Sequence, residues 1–259
     1  MKKALGVVGV CLLLLYVGAC GRKPPILIGF AGELTNQRGP GGLDARDGAQ
    51  LAVDMINAEG GVKGRSITLV IKDDRRDPVV ARRVDAELVA EGVVAIVGHI
   101  SSAQTAAVLD FINEANVVLL SPVSVSSAFS GQRDYFFRVV PDDELLGRAL
   151  AVHIYQNRSL SRLTAIYDLS NQAFTESLWD VIQREFTRLG GDIDETFTFM
   201  HGDVDLKTLM TEVQRTDPSA IVMIAAPIDT ALLAQYGRQQ GVEAPLFASS
   251  WAQSQNLVE

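Results

Sequence analysis

Apolar and polar positions alternate along this chain in blocks of two kinds. Short continuous apolar runs at 26–30 (ILIGF), 93–97, 117–120, 163–167 and 220–225 have the length of buried strands. Between them lie stretches with helical spacing. Over 43–58, Ala45, Ala49, Ala52, Val53 and Ile56 share one side, and Gly60-Gly61 stops the run. Gly64-Arg65 turns into a strand at 66–72. A charged loop from Asp73 to Asp77 follows, and Pro78 suits the first turn of a helix over 79–91. Further helices are predicted from Ser101-Ser102 to Ala115, from 142 to about 157, and over 171–189, 206–216 and 230–240. Further strands are predicted at 135–140, 196–199 and 246–248. Repeated βα units of this kind make an α/β fold with parallel sheets covered by helices and right-handed crossovers. A boundary near 138–142 divides it into a first lobe over 26–140 and a second over 141–259. A single larger sheet fits the same alternation.

The N-terminus departs from this pattern. Lys2-Lys3 precede an uncharged apolar run at 5–17, and Val17-Gly18-Ala19-Cys20 reads as a cleavage site. The run is shorter than the roughly 20 residues of a spanning helix. Residues 1–19 are therefore expected to be a signal peptide. The site resembles a bacterial lipobox, which would make Cys20 the lipidated N-terminus and 20–25 a tether. The alternative is an ordinary secretory signal cut after Ala19. Either way the chain is exported to the cell envelope. Cys11 leaves with the signal and the chain has 2 cysteines, so the mature domain has neither a disulfide nor a thiolate metal site.

The composition is globular, with 47% hydrophobic and 21% charged residues among 259. The net charge of −8, without a basic run longer than a pair, argues against nucleic acid as a partner. No Walker loop, GxGxxG or GxSxG occurs, and His99, His153 and His201 lack HExxH or paired spacing. No cofactor, metal or catalytic set is expected. Asp73, Asp74 and Asp77 do not have EF-hand spacing and read as a solvated loop; His99 reads as a hydrogen-bonded structural residue. The stretch 97–124 carries the chemistry: small polar residues stand just past two strand ends, and Ser101-Ser102 open a helix between them. In open α/β sheets ligands bind outside the carboxyl ends of the strands, and a helix start favours an anion. Ser is also a favoured N-cap, so the pair has a purely structural reading too.

In order along the chain, GFAGELT, GAQLAVDMINAEGGVKGRSITLVIKDD, VGHISSAQTAAV, LLSPVS, YFFRVVPDDELLGRALA and YDLSNQAFTESL resemble the branched-chain amino-acid (Leu/Ile/Val) periplasmic binding proteins. These are the type 1 solute-binding proteins of ABC importers. The resemblance covers the chain from Ile26 onward. It implies two Rossmann-like lobes closing on a solute and no catalysis. It also implies a fold incomplete at the C-terminus, because members continue beyond the point where this sequence stops.

The resemblance places Ser102, with Ser101 beside it, at the ligand carboxylate and Val123 at a backbone contact. A Thr hydroxyl of the family falls at Val125, for which Ser124 or Ser126 would substitute. Phe174 stands where a second-lobe Tyr is found. A Glu for the ligand ammonium falls near Ser250, beside Trp251, where no carboxylate stands; Asp229 is the nearest acidic candidate. The family's disulfide positions fall at Arg76 and Ser101. The implied function is an extracytoplasmic, lipid-anchored binder of a branched-chain amino acid or similar small carboxylate. Its partners would be an ABC permease and the membrane through Cys20. The alternative is an envelope lipoprotein of the same fold that regulates other proteins and transports nothing.

Overall fold

The computed structural model of the chain describes residues 23–35 and 41–254. The expected signal peptide and Cys20 lie outside the described residues. The first lobe is built from β1 (Ile26–Gly32), α1 (Gly41–Ala58), β2 (Ile67–Asp73), α2 (Pro78–Ala90), β3 (Ala95–Gly98), α3 (Ser102–Ala115), β4 (Val118–Ser121) and β5 (Phe136–Arg138). Its five strands are all parallel, in the order β2-β1-β3-β4-β5. The second lobe contains α4 (Asp143–Val152), β6 (Arg162–Asp168), α5 (Gln172–Arg188), β7 (Asp192–Phe199), α6 (Leu206–Arg215), β8 (Ile221–Ile224), α7 (Pro227–Gln239) and β9 (Leu246–Ala248). Its strands are parallel in the order β7-β6-β8-β9.

Central strands of a parallel sheet are covered on both faces, so they are apolar without alternation. β8 shows why: Val222 and Ile224 enter one core with Leu163, Ile182 and Phe186. Ile221 and Met223 enter the opposite core with Ile166, Met210 and Val213. In the first lobe Leu88, Ile96, Ile112 and Leu119 bring α2, β3, α3 and β4 into one core. Helix starts are set by side-chain caps. The Asp77 carboxylate accepts the N–H groups of Val79 and Val80 ahead of α2, and the Asp205 carboxylate accepts that of Lys207 ahead of α6. Gly98 closes β3 at φ 151°, where an added Cβ would lie 2.1 Å from the carbonyl oxygen of Ala31. Only glycine lets the carboxyl ends of β3 and β1 come this close.

The structure differs from the pattern-based elements in three places. β7 begins at Asp192 instead of 196, because DIDE lies on an edge strand with a solvated face and carries no apolar run. α7 begins at Pro227, whose fixed φ and missing N–H suit a first turn. The helix expected to reach 157 is regular only to Val152; His153–Asn157 widen into a π turn, closed by the N–H of Arg158 on the carbonyl of His153 at 3.0 Å.

The strand order reverses about β1 in one sheet and about β6 in the other. Crevices for ligands form at such switch points, at the carboxyl ends of the strands. The loops after β1, β3, β6 and β8 therefore mark the place to look. The two lobes meet there: the N–H of Ala103, at the start of α3, donates to Asn171 Oδ1, just after β6, at 3.1 Å.

Candidate functional site

On the first-lobe side, Ser101 is the N-cap of α3. Its Oγ accepts the N–H of Gln104 at 3.4 Å, and its hydroxyl donates to Gln104 Oε1. The structural reading of Ser101 is thus realised. Ser102, the first helical residue, is 2% exposed, and its hydroxyl has no hydrogen bond among the described residues. The next N–H belongs to Ala103 and is taken by Asn171 of the opposite lobe. An amide oxygen from the second lobe thus occupies part of the place where an anion would meet the helix start.

The residues after β4 separate into different roles. Val123 is on the rim, 43% exposed. Ser124 is fully buried, and its hydroxyl is bonded to Thr105 Oγ1 at 2.7 Å inside the first lobe. That pairing turns it away from the substitute role expected beside Val125. Val125 packs against the second-lobe core, and its carbonyl accepts the N–H of Asp143 at 2.8 Å. Ser126 is buried with its hydroxyl unpaired.

On the second-lobe side, Phe174 is buried in the core and stands edge-on to Trp251, with ring centroids 5.8 Å apart and planes at 87°. Trp251 belongs to the short turn Ser250–Ala252 after β9; Ser250 itself is exposed. The carboxylate of Asp229 lies 2.7 Å from Nδ1 of His201 and is buried. The acidic group expected to meet a ligand ammonium is therefore already engaged.

The sequence reading missed the residue that links the two sides. Arg76 follows β2. Its Nη1 lies 3.3 Å from Glu33 Oε2, and its Cζ sits 5.3 Å from the centroid of the Trp251 ring. The guanidinium is thus placed against an aromatic face across the cleft, a favourable contact. Glu33, Asp74, Arg76, Ile100, Ser101 and Gln104 line the small hollow beneath it.

The Asp73–Asp77 loop is solvated only in part: Arg75 and Asp77 are exposed, as its charge suggested, but Asp74 is buried. Asp73 accepts the N–H of Leu34 at 2.9 Å. Asp74, 1% exposed, accepts the backbone N–H of Arg76 at 2.8 Å and faces His99 Nδ1 at 2.7 Å. His99 is fully buried, as its structural reading implied, with Nε2 3.3 Å from Asp85. Burial alone would lower the His99 pKa; the hydrogen bonds to Asp74 and Asp85, and their charges, outweigh it and raise it from 6.5 to about 9. His99 thus holds Asp74, and Asp74 holds the left-handed backbone of Arg76, φ 56°. Two signals in the sequence pointed here: an Arg pair at the carboxyl end of a strand, and a His directly after the next strand. Among the described residues no cluster of metal-ligating side chains forms, and no helix is long and apolar enough to cross a membrane.

The sequence family described as periplasmic binding protein matches residues 25–258. The chain belongs to this family. Leu/Ile/Val-binding protein homolog 2 of Brucella abortus is 24% identical over 260 residues, a match spanning 100% of this chain and 69% of the relative. A leucine-binding protein of Thermotoga maritima superposes with a TM-score of 0.81 at 25% identity, over 90% of this chain and 65% of that one. The isoleucine complex of a branched-chain amino acid transporter substrate-binding protein from Streptococcus pneumoniae gives 0.76 at 27% identity, over 86% of this chain and 64% of that one. The chain therefore spans less than two thirds of the length of either solved structure. The two-lobed α/β architecture with parallel sheets is that of type 1 periplasmic binding proteins. Membership in this non-catalytic family agrees with reading the chain as a binder and not an enzyme.

Proposed function

We propose that this chain is the solute-binding component of an ABC importer, exported and anchored by lipid at Cys20. The solute is a branched-chain amino acid or a similar small carboxylate held between the lobes. The observation that carries the reading is the unpaired Ser102 hydroxyl at the start of α3, facing a second lobe whose contacts reach the same helix turn. A helix start favours a carboxylate, and with the N–H groups of Ala103 and Gln104 already engaged, a side-chain donor left here is the Ser102 hydroxyl. The kinship with leucine- and isoleucine-binding proteins supports an apolar tail, which Trp251 and Val125 would border. Binding that touches both lobes stabilises the closed arrangement, and the closed form docks on the permease. The engagement of Asp229 by His201 favours the carboxylate over the ammonium as the recognised group. Calorimetry with Ser102→Ala tests this: affinity for a bound carboxylate falls by about 1–3 kcal/mol, the range for a lost partner of a charged group. Unchanged affinity removes Ser102 from the site.

One observation favours the second reading, an interaction protein with no solute: the side chains of Arg76 and Trp251 already meet across the cleft. In that case no small acid or amino acid binds the protein at all.

A further inference from the structure

Arg76 presents two donors with nothing to bond. Its Nη1 is turned to Glu33 Oε2 at 3.3 Å, while Nε and Nη2 are hidden from water and have no hydrogen-bond partner among the described residues. These two atoms form one edge of the guanidinium, with N–H groups nearly parallel. Gln104, 1% exposed, lines the same hollow, and its Nε2 is buried without a partner among the described residues. Three buried donors therefore belong to residues lining one hollow, with Trp251 lying over the guanidinium. Buried donors left unpaired are costly, and water has no access to satisfy them.

Resting on the reading above, we propose that the carboxylate held at the start of α3 by Ser102 has Arg76 as its charged receptor, with Gln104 of the same helix turn as a further donor, and that the protein selects solutes by a free acid group. Two parallel N–H groups match the two oxygens of a carboxylate in one plane, which an ammonium or a neutral hydroxyl does not. The neighbouring acids do not compete for that edge. Glu33 occupies the Nη1 side, and Asp74 is turned to His99 and to the backbone of Arg76. The hollow beside the guanidinium has no open space while Trp251 lies over Arg76, so the carboxylate enters as the lobes part, and the lobes then close on it with Trp251 displaced from Arg76. The backbone is already arranged for this, because Asp74 fixes Arg76 in its left-handed conformation.

The test is calorimetry on the full chain with branched-chain amino acids, their 2-oxo acids, aromatic acids and leucinamide. Wild-type protein binds at least one acid and not the amide. Arg76→Gln weakens that binding ten- to hundredfold, roughly the loss of a charged hydrogen-bonded partner. If Arg76→Gln does not fold, Arg76→Lys decides, because it keeps the charge and loses the paired edge; a fivefold or larger loss supports the proposal. Wild-type affinity in either folded variant overturns the role of Arg76 and leaves the solute-binding reading standing. Leucinamide bound as tightly as leucine overturns selection by the acid group. No binding across the whole panel overturns the solute-binding reading and this proposal with it.

Discussion

His99 is a charge buried with no access to water, and its stability effect can be worked from the structure. The ring lies between Asp74 at 2.7 Å and Asp85 at 3.3 Å. Its pKa in the fold is raised from 6.5 to about 9. At about 1.4 kcal/mol per pH unit, that difference makes folding take up a proton worth roughly 3 kcal/mol. The sign follows from the raised value. Below pH 6.5 the imidazole is charged in both folded and unfolded chains, and the full contribution is present. As pH rises through 6.5 the unfolded chain loses its proton while the fold keeps it, so stability declines, and the contribution is gone above about 9. The assay is urea unfolding of wild type and His99→Gln at steps from below to above that window. The wild-type advantage should shrink by about 3 kcal/mol across it, while the variant, which cannot titrate there, shows no matching decline. Parallel profiles for the two proteins would refute the claim that His99 is charged in the fold.

Other perturbations test separate links. Ser101→Ala removes the N-cap of α3 and should lower stability by about 1 kcal/mol in denaturant unfolding. Phe186, fully buried and edge-on to Tyr155 at 5.7 Å, should cost about 3–5 kcal/mol when replaced by Ala. Burial raises the pKa of Asp143 against the opposing hydrogen bonds from Ser177 and Ser127, so its charged form weakens the fold as pH climbs past the ordinary carboxylate range. Asp143→Asn should therefore stabilise the protein at pH 7 by thermal unfolding, with a smaller gain at pH 4; a loss at pH 7 contradicts that sign. Asn171→Ala removes an inter-lobe hydrogen bond of 3.1 Å, and scattering in solution without solute should show a larger radius of gyration than wild type.

The alternation of elements was legible because the central strands have to be apolar on both faces: the run at 220–225 is β8, with side chains in two cores. Edge strand β7 was misplaced by four residues for the opposite reason, since its first half, Asp192 to Glu195, is acidic and has exposed positions at Asp192 and Glu195. Ser101 was readable as a cap because capping is local. The fates of Ser124 and Asp229 were not, because each depends on a partner far away in sequence, Thr105 for one and His201 for the other. Arg76 was hidden most completely. A charged loop after a strand is normally solvated, and what lies over the guanidinium here is Trp251, from the other lobe. Local pattern predicts local bonds; burial of a charge depends on elements far away in the sequence.

Closure of the lobes on a small carboxylate leaves that solute on the purified protein. Native mass spectrometry of the full chain, followed by unfolding and analysis of what is released, should find a retained small acid, and adding that acid back to stripped protein should raise its thermal stability. A protein that carries nothing and shows no thermal shift across amino acids and organic acids would contradict such closure.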